Sequence, residues 1–352
     1  MANSKSILIS VFTLVLILFL MLTSIAYANA INGLAATDWF DKGYAFQQSN
    51  NFKAAIDAYD KAIELNPQHV EAYNNRGTAY SALGNKQQAI KDYDKALKLN
   101  PQYAVAYNNR GLAYGKLGNK QQAIKDYDKA IELNSQYGVA YYNRGAAYGD
   151  LGNNQQAIKD LDKAIELNPQ LAAAYYNRGV TYGILGKKQQ AIKDYDKAIE
   201  LNPQDAAVYY NRGTAYDALG NKQQAITDYD KALKLNPQHA EAYLNRGGVY
   251  ADLGNNQQAI KDYDKAIELN PQLAAAYYNR GTAYSALGNK QQAIKDYDKA
   301  IKLNPQDAEA YYNRGLAYHK LGNNKMYLQN LKIAAKLGLK EAQSLLKSAG
   351  IE

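Results

Sequence analysis

The chain has no cysteine, one tryptophan and three histidines among its 352 residues. The absence of cysteine excludes disulfide bonds, thiolate nucleophiles and thiolate metal sites, although it does not fix the redox compartment. The histidines, His69, His239 and His319, are far apart, and lone histidines are usually solvated or structural. No nucleophile motif, phosphate-binding glycine loop or metal-ligand spacing accompanies them. We therefore expect neither enzyme activity nor a cofactor.

The chain also has no long block of like charge. Its formal net charge is +8, from 41 Lys and Arg against 33 Asp and Glu. A basic chain can bind nucleic acid or an anionic membrane. Here the signs alternate along segments such as Lys91, Asp92, Asp94 and Lys95, which is typical of a solvated helix face. We therefore expect no nucleic-acid partner.

Proline is scarce, but its seven copies are spaced by 34 residues or a multiple of 34. They are Pro67, Pro101, Pro169, Pro203, Pro237, Pro271 and Pro305, and Ser135 takes the one missing place. The same interval divides the sequence into nine repeats, at 36–69, 70–103, 104–137, 138–171, 172–205, 206–239, 240–273, 274–307 and 308–341. A period of this length indicates small units that stack into one array.

Each repeat predicts two helices. Tyr73, Gly77 and Tyr80 are spaced four and three residues apart, so they share one face of a first helix. The segment Ala89–Ala96 has the same spacing, and Pro101 ends this second helix because proline has no N–H to donate. The small residues allow the two helices to approach closely. One such pair cannot bury both of its faces, so neighbouring repeats must share a continuous core.

This pattern of aromatic and small residues resembles the tetratricopeptide repeat (TPR) family. In repeat 8 the matching residues are Tyr277, Gly281, Tyr284, Ala293, Tyr297, Ala300 and Pro305. The resemblance implies an all-α fold, a right-handed superhelix (α-solenoid) of antiparallel helix pairs. It also implies that the first helices line a concave groove that binds peptides or partner proteins.

The two ends of the repeat array depart from the pattern. Repeat 1 has Trp39 and Phe46 in place of tyrosine, and Asn50 where the other repeats have glycine. Repeat 9 has Tyr327 in place of a small alanine and Leu339 in place of proline, so its second helix must pack differently. We expect residues 342–352 to form a C-terminal capping helix, which solenoids need for solubility. Its predicted apolar stripe contains Leu339, Ala342, Leu345 and Leu346.

The N-terminal segment, residues 1–30, is predicted to direct export. Lys5 precedes a long apolar run, and small residues two apart end at Ala30, as in a cleaved signal peptide. Residues 7–28 carry no charge and are long enough to remain as an uncleaved anchor. Both alternatives place the repeats outside the cytosol, in the periplasm or another extracytoplasmic space. Residues 31–35 form a short linker to the repeats.

Differences between repeats concentrate at positions 2, 5, 9, 12 and 13, which form one stripe of the first helix. Position 6 beside this stripe is an asparagine ladder of Asn75, Asn109, Asn143, Asn177, Asn211, Asn245, Asn279 and Asn313. An amide offers a donor and an acceptor, so the ladder can pair with an extended peptide backbone. Alternatively, each amide pairs with a neighbouring helix or loop. Position 5 adds rings for contact area at Tyr142, Tyr176, Tyr210, Tyr278 and Tyr312.

Position 7 is arginine in every repeat after the first, at Arg76, Arg110, Arg144, Arg178, Arg212, Arg246, Arg280 and Arg314. These side chains either form a cationic ladder for an acidic partner or pair with aspartates of the second helix, such as Asp92 and Asp94. The lysines used by TPR proteins that bind chaperone C-termini are missing, so we expect no partner of that type.

The sequence therefore predicts a non-enzymatic scaffold that binds an extended peptide or partner protein in its groove. We expect this scaffold to assist the assembly of an envelope or secreted complex. The membrane would be contacted only through an uncleaved N-terminal segment. The alternative is a structural spacer or self-associating module without a specific peptide ligand.

Overall fold

The computed structural model describes residues 18–19, 21–24 and 32–350. The predicted signal peptide or anchor lies outside this part of the chain except for 18–19 and 21–24, which are helical. Cleavage after Ala30 and anchoring therefore both stay predictions. None of the described helices has the length and hydrophobicity needed to cross a lipid bilayer.

The chain divides into two compact bodies, residues 1–169 and 170–352. In the N-terminal body, helix α1 spans residues 32–48. It is followed by α2 (Phe52–Leu65), α3 (Val70–Ala82), α4 (Lys86–Leu99), α5 (Ala104–Lys116), α6 (Lys120–Leu133), α7 (Gly138–Asp150) and α8 (Asn154–Leu167). Successive helices pack as pairs, so that α1–α2, α3–α4, α5–α6 and α7–α8 correspond to repeats 1 to 4.

The C-terminal body contains repeats 5 to 9 and one further helix. Its first five helices are α9 (Ala172–Ile184), α10 (Lys188–Leu201), α11 (Ala206–Ala218), α12 (Lys222–Leu235) and α13 (Ala240–Asp252). The others are α14 (Asn256–Leu269), α15 (Ala274–Ala286), α16 (Lys290–Leu303), α17 (Ala308–Lys320), α18 (Asn324–Lys336) and α19 (Lys340–Ser348). No strand occurs in the described residues. The predicted all-α fold of tandem antiparallel helix pairs is confirmed.

The ends of the helices follow from local chemistry. Gly84 has φ +88°, a left-handed conformation that stops α3 without a steric penalty. Asn50 takes its place in repeat 1 with φ +59°, and asparagine tolerates this region better than most residues. Asn85 then caps α4, because its side chain accepts a hydrogen bond from the backbone N–H of Gln88. At the other end, α4 stops at Leu99, before Pro101.

Most helix pairs are held by a close approach of a glycine to an aromatic ring, whereas in repeat 4 the glycine, Gly145, approaches Leu161. A Cβ atom placed on Gly77 would lie 2.8 Å from Cε1 of Tyr93, which is closer than carbon atoms pack. Tyr93 and Ala89 are buried in the same cluster. The tyrosine ring therefore fills the space left by the missing side chain, and the predicted role of the small residues in packing is confirmed.

Repeat 9 and α19 close the C-terminal body. Leu331, Ala334, Ala342 and Leu346 are buried together in this cluster, so α19 covers the second helix of the last repeat as predicted. Leu345 was also predicted to belong to the apolar stripe, but its side chain is exposed. Ala342 and Leu346, four residues apart, define the face of α19 that is buried against α18. Leu345 is about 100° around the helix from Leu346, so it lies at the edge of this face.

Candidate functional site

The first helices of successive repeats form a continuous face within each body. Contacts join α3 to α5 and α5 to α7 in the N-terminal body, and α9, α11, α13, α15 and α17 in sequence in the C-terminal body. Several apolar side chains from the variable positions are open to solvent on this face. Leu112, Val139 and Ile184 are 39%, 47% and 65% exposed. These exposed apolar side chains favour an interaction surface on the first helices of each body.

The asparagine ladder joins neighbouring repeats in the N-terminal body. The Asn109 Nδ2 group donates to Oδ1 of Asn74 in the preceding repeat at 3.1 Å. Asn143 donates in the same way to Asn108 at 2.8 Å. Asn74 and Asn108 are buried. Each also donates a side-chain hydrogen bond to the residue that follows it at position 6, Asn75 and Asn109 respectively. The amides at positions 5 and 6 therefore form a connected chain across the repeats.

In the C-terminal body the acceptor at position 5 is a tyrosine hydroxyl. The three bonds run from Nδ2 to the hydroxyl of the preceding repeat: Asn211 to Tyr176 at 3.0 Å, Asn245 to Tyr210 at 3.1 Å and Asn313 to Tyr278 at 2.9 Å. Burial raises the pKa of each of these tyrosines, so the hydroxyls remain protonated at neutral pH. The two sets of residues predicted to line the groove therefore lie together and bond to one another.

Asn279 is the exception in this ladder. The residue at position 5 of the preceding repeat is Leu244, which has no acceptor. Asn279 is half-buried, and its amide makes no hydrogen bond with any described residue. Its two N–H groups and its carbonyl oxygen are therefore available to a ligand.

The remaining predicted residues also lie on the first-helix face. Asn177 is half-buried in α9, and Tyr312 is half-buried where α17 packs on the cluster beneath α19. Tyr142 lines a recess between α5 and α7. Contact of these side chains with a ligand stays a prediction, since the structure shows only their placement.

The arginines at position 7 form the ion pairs that the sequence left as one of two alternatives. Arg76 donates from Nε and Nη2 to both oxygens of Asp92, at 2.8 and 2.7 Å, and from Nη1 to Asp60 at 2.6 Å. Asp92 is buried on the second helix of the same repeat, whereas Asp60 belongs to the preceding repeat. Among the described residues, no three His, Asp or Glu side chains group closely enough to hold a metal ion.

Two recesses between adjacent first helices were not foreseen from the sequence. One, of about 320 Å³, lies between α5 and α7, and the other, of about 230 Å³, lies between α9 and α11. They use equivalent positions of the repeat, and in each of them position 12 is a glycine, Gly115 or Gly183. The glycine at this variable position was the sequence feature from which the two recesses could have been predicted.

Comparisons with known families agree with the periodicity. A family model described as TPR repeat matches residues 43–84 and 283–322. Models described as tetratricopeptide repeat match 70–103, 104–137, 138–171, 172–205, 210–274 and 262–295. Together these matches cover 43–205 and 210–322. The chain belongs to the tetratricopeptide repeat family. The four consecutive matches from 70 to 205 coincide with repeats 2 to 5 of this TPR protein.

Two solved TPR structures, those of PilF and of a protein from Parabacteroides merdae, have the same fold. PilF of Pseudomonas aeruginosa is 21% identical, with a TM-score of 0.55 over 59% of this chain and 94% of its own. A tetratricopeptide repeat protein from Parabacteroides merdae is 23% identical, with a TM-score of 0.52 over 74% of this chain and 100% of its own. YrrB, described as a TPR protein with an unusual peptide-binding site, is 27% identical with a TM-score of 0.47 over 52% and 95%. The comparison with curated proteins gave no match.

Membership of this family supports a coarse statement of function. The TPR fold is generally a non-enzymatic scaffold for protein interaction, and protein or peptide partners are its usual ligands. This TPR chain has the corresponding face of stacked first helices.

Proposed function

We propose that this TPR protein binds an extended peptide or a segment of a partner protein along its first-helix face, without catalysing a reaction. The observation that carries the proposal is the separation of two sets of residues. The nearly invariant residues of each repeat are used in packing and ion pairs, such as Gly77 against Tyr93 and Arg76 with Asp92. The residues that differ between repeats lie on the first helices, where apolar side chains remain exposed.

The ladder supplies the means of holding a peptide backbone. Asn279 has an amide that no described residue engages, so it can donate to and accept from one peptide unit. Asn211 uses both N–H groups within the protein, toward Tyr176 and the Ala207 carbonyl, and can offer only its carbonyl oxygen. Neighbouring tyrosine rings add contact area at small entropic cost. Such contacts recognise the backbone and are tolerant of sequence.

The Asn279→Ala variant tests this assignment. Because its amide makes no bond within the described protein, the substitution removes a ligand contact and leaves the fold intact. We expect partner capture to weaken by about threefold to tenfold, the value of one hydrogen bond, with unchanged helicity and melting temperature. Capture equal to that of the wild type would remove Asn279 from the binding site.

We further propose that the protein acts outside the cytosol, in the assembly of an envelope or secreted complex. The support is the N-terminal sequence, with its charge-free apolar run and the small residues before Ile31. Crosslinking in the native envelope, followed by affinity purification and mass spectrometry, identifies the partner. The same spectra show whether the mature chain begins at Ile31. Recovery of cytosolic partners alone would overturn this location.

A second candidate function is a spacer or self-associating module. The near identity of the second helices favours it, since Asn85–Asp94 recurs almost unchanged in most repeats and adds length without specificity. Size-exclusion chromatography with light scattering distinguishes the two candidates. A mass that rises with protein concentration in the absence of a partner supports self-association, and a constant monomer mass supports the binding scaffold.

A further inference from the structure

The recess between α9 and α11 has a composition that sets it apart from its counterpart between α5 and α7. It is lined by Val180, Gly183, Ile184, Lys188, Tyr195, Asn211, Thr214 and Ala215. Its volume of about 230 Å³ is several times the space of about 30 Å³ that one water molecule occupies in the liquid. No acidic residue lines it.

The hydroxyl of Tyr195 opens into this recess without a hydrogen-bond partner. Tyr195 is 3% exposed, and a Cβ atom placed on Gly183 would lie 3.7 Å from its hydroxyl oxygen. In repeats 2, 6 and 8 a threonine at position 9 bonds to the equivalent tyrosine hydroxyl, as Thr214 does to Tyr229 at 3.2 Å. Position 9 of repeat 5 is Val180, which cannot do so. Tyr195 therefore keeps a hydrogen-bond donor aimed into the recess.

The ammonium group of Lys188 is the second donor. Its Nζ donates to the Gly183 carbonyl at 2.9 Å, and within the described chain it forms no ion pair. The equivalent Lys120 pairs with Asp150 at 2.8 Å in the recess between α5 and α7. Lys222, one repeat later, pairs with Asp217 and Asp252.

The two repeat positions that supply these carboxylates to Lys120 and Lys222 have no acidic residue near Lys188. They are position 12 of the same repeat, which is Gly183, and position 13 of the next repeat, which is Ala218. A lysine has three N–H donors, so two remain for a ligand. The recess therefore combines an uncompensated positive charge with a free hydroxyl.

We propose that this recess binds a carboxylate of the peptide held on the first-helix face, with Lys188 and Tyr195 donating to its two oxygens. The apolar walls favour a carboxylate on a short hydrocarbon stem. Val180 lines one side, and Ile184, the most exposed large aliphatic side chain of α9, lies at the opening. A glutamate side chain and a C-terminal carboxylate behind an apolar residue share this chemistry. The inference rests on the proposed function, since it names a ligand group for the same face.

Two small probes distinguish the sources of the carboxylate. N-acetyl-glutamate α-amide presents a side-chain carboxylate, and N-acetyl-leucine presents a terminal one. N-acetyl-glutamine α-amide is the neutral control of the same shape as the first. Binding is read from the full chain labelled with ¹³C-lysine, which keeps all three N–H donors of each ammonium group, through the ¹³Cε signal of Lys188. That signal is assigned through the Lys188→Arg variant. We expect a saturable shift of the Lys188 signal with at least one carboxylate and none with the amide.

The Ala218→Asp variant places a carboxylate beside Lys188 within the protein itself. It reproduces the ion pairs that Asp150 of repeat 4 and Asp252 of repeat 7 form with the equivalent lysines of the preceding repeats. We expect the apparent affinity for the carboxylate probe to fall by about tenfold, because the ion pair competes for Lys188. The control is Ala286→Asp, the same change at the same position two repeats later. There position 17 of the preceding repeat is Asn256 rather than lysine. Both alanines are exposed, and the control should retain the wild-type affinity within about twofold.

A second variant, Val180→Thr, gives the Tyr195 hydroxyl the partner found in repeats 2, 6 and 8 and should weaken probe binding by about threefold. The absence of any saturable shift with both carboxylates would overturn the inference, as would equal binding of the glutamine probe. Equal losses in Ala218→Asp and Ala286→Asp would also overturn it. If a partner is captured on the first-helix face but the carboxylate probes do not bind, the inference fails and the proposed function stands. Probe binding without any partner contradicts the proposed function alone.

Discussion

Arg212 donates two parallel hydrogen bonds to the carboxylate of Asp228, with Nε–Oδ2 and Nη2–Oδ1 distances of 2.7 Å each. Its remaining Nη1 group donates to Asp196 of the preceding repeat at 2.6 Å. The Asp228 side chain is only 5% exposed, whereas that of Asp196 is 51% exposed. One arginine therefore has a buried partner and a solvated partner, which allows the two kinds of ion pair to be compared directly.

We expect Asp228→Ala to lower the free energy of unfolding by about 3 kcal/mol, because it leaves a largely buried guanidinium without its main partner. Asp196→Ala should cost less than about 1 kcal/mol, since water screens the exposed pair. Urea unfolding followed by circular dichroism measures both values. Hydrogen exchange in α11 and α12 shows whether the loss is confined to the affected repeat. Equal costs for the two variants would contradict the assignment of the buried pair as the stronger one.

Two adjacent glycines in α13 should respond oppositely to the same substitution. A Cβ atom on Gly247 would lie 2.7 Å from Cε1 of Tyr263, whereas a Cβ atom on Gly248 would have no neighbour within 4 Å. We expect Gly247→Ala to destabilise the protein by about 1 to 3 kcal/mol through overpacking. Gly248→Ala should stabilise it by up to about 1 kcal/mol through helix propensity. Thermal and urea unfolding check the signs, and a destabilised Gly248→Ala variant would show that the open side of α13 is misassigned.

The asparagine ladder should be structural at one repeat and dispensable for stability at the next. Asn245→Ala removes the bond to the Tyr210 hydroxyl at 3.1 Å, and we expect it to cost about 1 kcal/mol. Asn279→Ala removes an amide that no described residue engages, so its cost should be close to zero. Chemical unfolding of the two variants side by side measures the difference. A substantial cost at Asn279 would indicate an internal partner for its amide.

The protein should lose stability in alkaline solution through its buried tyrosines. Burial raises the pKa of Tyr93 and Tyr229 to about 12, from an ordinary value of 10.0. The unfolded chain therefore releases these protons at lower pH than the folded chain does. Their contribution is complete below pH 10 and is lost as the pH rises toward 12. We expect the melting temperature to fall across this window.

The Tyr229→Phe variant provides the control for the alkaline transition. It removes one titrating group while keeping the ring that packs against Gly213. Its melting temperature should fall less steeply with pH than that of the wild type. The tyrosinate absorbance of the wild type minus that of Tyr229→Phe isolates this group among the 33 tyrosines. The difference should rise together with the loss of helical signal, and a difference that rises before unfolding would contradict protection by burial.

The sequence predicts the fold well because each packing residue is repeated at a fixed place. The approach of Gly77 to Tyr93 and the left-handed conformation of Asn50 both follow from residue types and spacing alone. The site is harder to predict because its bonds join residues 35 apart in different repeats. Whether an asparagine bonds to a peptide or to the preceding repeat depends on the stacking distance, which composition does not reveal. The unpaired Asn279 becomes evident only once its partner position is known to be Leu244.

Leu345 and Lys188 illustrate two further limits. The apolar stripe predicted on α19 includes Leu345, but α18 covers only part of that stripe and leaves Leu345 exposed. Lys188 precedes the same Gln-Gln-Ala-Ile segment as the other lysines at position 17, although Lys187 stands before it where those repeats have asparagine. Its lack of an acidic partner is visible only when the two positions that can supply one are known, namely Gly183 of its own repeat and Ala218 of the next repeat.

The arginine ion pairs also limit the lengths of insertion or deletion that the repeat array can accept. Arg76 reaches Asp60 and Asp92, which are sixteen residues away in opposite directions, so its network spans slightly less than one period. Removing or duplicating a whole period of 34 residues within repeats 2 to 8 joins equivalent positions and restores these pairs. A change by any other number would separate buried charges. We therefore expect recombination between the gene segments that encode these repeats to yield foldable chains when the length changes by complete periods.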